Sequence, residues 1–183
     1  MSRIAIPPSI EAAPASAKPL LEAVKSQLGN VPNMFRLFAT SPQALEGYLG
    51  LNGALAKGKL DAATRERIAL AVANVNGCTY CNSGHAYFAA NLAKLDAAEI
   101  AANRDGRSND SRADAAVRFA RKIALERGSV TEADLQTVRA ASFSDAELIE
   151  IVAVVALNVL TNYVNNVFVT DIDFPVAQAR RVA

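Results

Sequence analysis

Apolar residues recur every three or four positions along nearly the whole of this sequence, and the strict alternation of a half-exposed strand is missing. Leu20, Leu21, Val24 and Leu28 mark one amphipathic helix, ended by Gly29-Asn30, and a short helix is expected over Asn33 to Phe38. Ser41-Pro42 is a helix start, with proline in the first turn where its fixed φ suits entry. That helix should stop near Gly58, and its Gly47, Gly50 and Gly53 predict a close helix crossing. Asp61 caps the next helix, which breaks at Asn76-Gly77, and a new one begins near Cys78 and reaches about Lys94. Asp96 opens a short helix, Asn103 to Ser111 is expected as an exposed loop, and a helix follows from about Asp114 to Glu126. Thr131 with Asp134 and Ser144 with Glu147 have capping-box spacing, the second opening a long central helix towards Val169. The fold class is therefore all-α, a helical bundle. We expect one domain over 1–183, with an extended arm at 1–16 and a helix pair at 61–94.

Composition narrows the function. About half the residues are apolar and the formal charge is +1, which offers no clustered positive surface for nucleic acid or an anionic membrane. The start, interrupted by Pro7 and Pro8, has no apolar run of the secretory type, so a cytoplasmic location is the default. The most hydrophobic stretch, Ile149 to Leu160, is about twelve residues against the ~20 of a membrane span. A slide of 84 residues sets Glu66 on Glu150 and Cys81 on Asn165, an echo that either a degenerate duplication or chance among alanine- and valine-rich helices produces.

Both cysteines and the single histidine fall in the segment Asn76 to His85. On a helix, Cys78, Cys81 and His85 step by three and four and share one face. The break at Asn76-Gly77 puts both thiols in a first turn, where free amides and the helix dipole favour the reactive thiolate. Glu66, twelve residues before Cys78, approaches this face if the two helices fold back on each other. Three readings stay open. The cysteines are small buried hydrophobes, or the CxxC and histidine hold a metal with Glu66, or the pair is a redox site. Zinc lacks a fourth soft ligand, and covalent haem needs a histidine where Asn82 stands. Asn158, Asn162, Asn165 and Asn166, with Tyr163, form a polar stripe on the last helix, either an access route or, more ordinarily, a subunit interface. Arg118, Arg121, Lys122 and Arg127 read as a solvated face complementing the helix dipole.

Glu66, eleven intervening residues and Cys78-x-x-Cys81-x-x-x-His85 resemble the core motif of the alkylhydroperoxidase D-like branch of the carboxymuconolactone decarboxylase family. The likeness is strongest over Asp61 to Leu92. It implies an all-helical fold assembled as a homo-oligomer, a trimer or hexamer, and an antioxidant peroxidase that needs no bound cofactor or metal. It implies Cys81 as the thiolate that attacks the hydroperoxide, Cys78 as the resolving thiol, and His85 with Glu66 as the proton relay. An external dithiol or protein reductant would reopen the disulfide. The best-known members carry a histidine just before the second cysteine. Here it is Tyr80, a phenol of ordinary pKa ~10, which implies a shorter relay. Two alternatives come from other classes. One is a decarboxylase or lactone-processing activity, as elsewhere in the broader family, and the other a redox-sensing helical oligomer without turnover.

Overall fold

The computed structural model describes residues 1–180. Among them the regular structure is entirely helical: α1 Lys18–Leu28, α2 Asn33–Phe38, α3 Pro42–Leu55, α4 Ala62–Val75, α5 Thr79–Asn91, α6 Ala97–Arg104, α7 Ser111–Glu126, α8 Glu132–Ala140 and α9 Asp145–Phe168. Side-chain caps set most of the starts. Asp61 accepts from the Thr64 N–H at 2.7 Å, and Asp110 from the Ala113 N–H at 2.8 Å. Thr131 and Ser144 form full capping boxes with Asp134 and Glu147. The cap at Asp110 starts α7 three residues earlier than its apolar pattern indicates, because the cap and not the first core residue nucleates the turn.

Helix α4 is the centre. Every residue from Ile68 to Asn74 is buried, and the helix packs against α5, α6, α7 and α9. Two apolar clusters flank it. One joins Ile68 and Val72 to Phe119, Ile123 and Ile151. The other gathers Leu21, Phe35, Phe38 and Leu45 around the cysteine turn. Each large side chain fully buried in this way contributes about 1.5–3 kcal/mol.

The structure corrects several expectations. A methyl group at Gly47, Gly50 or Gly53 would meet nothing within 4 Å, so no close crossing exists there inside the chain. The tight approach falls at Gly58, where the Glu150 carboxylate accepts from the Lys59 and Leu60 N–H groups at 2.8 and 2.9 Å. The echo at 84 residues is not matched in structure, since α9 continues where the first copy turns at Asn76-Gly77. Helix α9 is also longer than its apolar run. By length and composition alone it matches a membrane-crossing helix, but one face is buried against α3, α4, α5 and α7. On that face lie Asn158, Thr161, Asn162 and Asn165.

The segment expected as an exposed loop after Asn103 is tied down from inside. Buried Glu99 accepts from Arg67 Nε at 2.7 Å, Asn103 Nδ2 at 2.9 Å, Ser108 Oγ at 2.5 Å and the Asn109 N–H at 2.7 Å. Burial pushes its carboxyl up, but the bonds from Ser108, Asn103, Asn109 and Arg67 outweigh it and hold the pKa at about 2 against an ordinary 4.5. A depressed folded pKa adds stability above the unfolded value, lost as pH falls from about 4.5 towards about 2. Glu99→Gln should therefore cost roughly 2–4 kcal/mol in urea unfolding at pH 7, because Arg67 loses its partner. The gap to the parent should narrow as the pH approaches 2. A gap that stays constant with pH would remove this role. Two of the basic residues of α7 are likewise paired, Arg118 with Asp114 at 2.5 Å and Lys122 with Asp134 at 2.6 Å.

Candidate active site

Gly77, at φ +63°, takes the left-handed conformation that turns the chain from α4 into α5. Cys78 is the N-cap of α5, its Sγ accepting from the Cys81 N–H at 3.2 Å. The two cysteines are joined as a disulfide, with Cα atoms 5.3 Å apart. Their surroundings differ. Cys78 is 0% exposed and belongs to the apolar core, whereas Cys81 is 4% exposed and opens on a cavity of about 110 Å³. Glu66 and His85 line the same cavity, each with about a quarter of its side chain exposed.

Folding α5 back on α4 brings His85 Nδ1 to 2.9 Å from Glu66 Oε2. An ionised carboxylate only accepts, so the ring proton sits on Nδ1 and Nε2 is left as the base. Cys81 and His85 stand one helical turn apart on α5. Among the described residues no hydrogen bond joins them directly. The four residues named from the sequence thus come together, three on the cavity and Cys78 behind it.

Tyr80 lies between the cysteines but takes no part in that pairing. Its hydroxyl donates to Asp173 Oδ1 at 2.9 Å and accepts from the Met34 N–H at 3.0 Å. Burial, and then the Asp173 charge, push the phenol far above its ordinary range, so it stays protonated.

Two further contributors come from distant sequence. Asn165 Nδ2 donates to Cys81 Sγ at 3.3 Å, a contact that favours a thiolate there. Asn76 Nδ2 donates to Asn162 Oδ1 at 2.9 Å, and Asn166 Nδ2 donates to the Asn76 carbonyl at 2.8 Å. The stripe on α9 therefore grips the cysteine turn, and Asn158 lines the cavity. This corrects the reading of Asn162 and Asn165 as interface residues, since both are buried inside the chain. The sign of it in the sequence was the polar stripe itself, whose other reading was an access route to the thiols.

Tyr48 of α3 also faces the cavity, with its ring stacked on Phe38 at 5.4 Å. Burial, and then the Glu66 charge, raise its phenol well above the usual value. No motif announced it. Among the described residues no group of three His, Cys, Asp or Glu side chains is placed to hold a metal ion.

The carboxymuconolactone decarboxylase family profile matches residues 42–126, from the start of α3 to the end of α7. The chain is similar to a peroxidase-related protein of Ralstonia eutropha JMP134 with an alkylhydroperoxidase AhpD core. That likeness has a TM-score of 0.84 and 25% identity over 94% of this chain and 92% of that one. A peroxidase-related protein of Silicibacter sp. TM1040 shares the fold, with a TM-score of 0.81 and 23% identity over 93% and 91% of the two chains. So does the debrominase Bmp8, with a TM-score of 0.74 and 20% identity over 87% of each chain. No curated protein matches the sequence. The cysteine turn thus lies inside the region that matches the carboxymuconolactone decarboxylase family profile, and along almost its whole length the chain has the fold of proteins with an alkylhydroperoxidase AhpD core.

Proposed function

We propose that this protein reduces hydroperoxides by a two-cysteine cycle. The observation that carries the reading is the unequal placement of the sulfurs, Cys81 on the cavity with His85 and Cys78 sealed behind it. The Cys81 thiolate attacks the terminal oxygen of the hydroperoxide. The O–O bond breaks, Cys81 becomes a sulfenic acid, and the alkoxide leaves with a proton supplied through His85. Glu66 holds the imidazole by its Nδ1–H and stabilises it when charged. Cys78 then attacks the Cys81 sulfur, the S–O bond breaks, the leaving hydroxide takes the Cys78 thiol proton and departs as water, and the disulfide forms. An external dithiol or protein reductant returns two electrons and two protons by thiol–disulfide exchange. That chemistry suits a reducing, cytoplasmic setting. The outer face of α9, where Ile149, Leu160, Tyr163 and Val167 are exposed, suits the trimer or hexamer that the family resemblance implies.

The test is a thiol count with intact-mass analysis on the reduced chain, before and after one equivalent of an alkyl hydroperoxide. Both thiols should disappear within seconds, with loss of two hydrogens and a Cys78–Cys81 linkage in the peptide map. Two thiols that persist in the folded, reduced protein would remove the peroxidase reading.

A further inference from the structure

The roof of the cavity is made by the end of the chain, not by a helix. Beyond α9 the segment from Thr170 to Arg180 runs without regular structure across α5 and is anchored along its length. Asp173 accepts from the Tyr80 hydroxyl at 2.9 Å and from the Asn33 N–H at 2.7 Å. The Ala177 N–H donates to Ser83 Oγ at 2.9 Å, and the Arg180 N–H to Asn74 Oδ1 at 2.7 Å. Between the first anchor and the second, Phe174 turns onto the cavity. Its ring lies 5.8 Å from Tyr80 and 5.5 Å from Phe88, both edge-on.

Gly84 makes room for that ring. A Cβ there would stand 3.3 Å from Phe174 Cε2, tighter than an ordinary contact. Gly84 lies between Cys81 and His85 in α5, so Phe174 rests on the stretch of helix that carries the reacting groups. Met34, Phe35 and Leu157 continue the apolar wall around them. A cavity of about 110 Å³ is smaller than the ~150 Å³ engineered cavity that takes up benzene. Hydrogen peroxide has no apolar surface to bury against these walls, and a long acyl chain has no room under the ring.

We propose that Phe174 is the specificity-determining residue of this site. Latched by Tyr80 and Asp173, it restricts the cavity to compact organic hydroperoxides of no more than about six non-hydrogen atoms. The inference rests on the peroxidase reading and names the substrate class of that same cavity. Tyr80, placed between the two cysteines, then serves the roof in place of the proton relay.

The experiment compares kcat/KM of the full chain for tert-butyl hydroperoxide, linoleic acid hydroperoxide and hydrogen peroxide, with a fixed excess of dithiol. The parent protein should favour tert-butyl hydroperoxide over the other two by about tenfold or more. Phe174→Ala should raise the linoleic acid hydroperoxide value by about tenfold and change that of hydrogen peroxide by less than about twofold. Asp173→Asn, which weakens the latch and keeps the ring, should move the same ratio in the same direction by a smaller factor. It decides the matter if Phe174→Ala loses helical content. An unchanged ratio in a folded variant, with Cys81-dependent turnover intact, overturns the roof and leaves the peroxidase reading standing. Failure of the reduced parent protein to consume any of the three overturns both.

Discussion

Replacing Cys81 with serine is expected to abolish hydroperoxide consumption, a fall of at least about 10³-fold in kcat/KM, because no other thiol lines the cavity. Cys78→Ser should behave differently. It should consume one equivalent of hydroperoxide in a burst and then stop, holding a sulfenic acid on Cys81 that a 1,3-diketone reagent captures. The asymmetry follows from burial, since Cys78 is fully enclosed in the core. The variant should also fold normally. Serine is a good N-cap, and its hydroxyl accepts from the residue 81 N–H as the Cys78 sulfur does. The two reactions, followed by peroxide assay and intact mass, assign the roles directly. A burst from Cys81→Ser and silence from Cys78→Ser would reverse them.

His85→Ala should lower kcat/KM by about 10²-fold, the usual contribution of a positioned acid–base group. Glu66→Gln should cost about tenfold, because the amide still touches the ring but no longer stabilises its charged form. The double variant should be scarcely worse than His85→Ala alone, since Glu66 acts through the imidazole. Steady-state kinetics across pH provide the check. Additive losses would mean that Glu66 acts on the substrate in its own right.

Local rules carried the reading of the sequence a long way. The break at Asn76-Gly77, the cap at Asp61 and the three-and-four stepping of Cys78, Cys81 and His85 all depend on residues within a turn or two of each other, and all are present. The meeting of Glu66 with His85 was legible as a consequence of folding one helix back on the next, because the two sites are 19 residues apart across one turn. The glycines of α3 misled for a related reason. Glycine permits close approach, but only a partner makes it occur, and inside this chain the partner is absent at Gly47, Gly50 and Gly53.

By itself, then, the sequence determined the helices, their caps, the cysteine turn and the common face of Cys81 and His85, while Cys78, as the N-cap, lies behind that face. These follow from backbone hydrogen bonding and helical periodicity, which act over a few residues. Only the tertiary structure decided which sulfur faces the cavity, that Asn165 holds Cys81 from 84 residues away, and that Phe174 closes the site from the far end of the chain. Such pairings are selected by how well whole helices and a non-helical tail pack together. No spacing rule within one helix encodes them, because each depends on the summed contacts of many distant side chains at near-crystalline density.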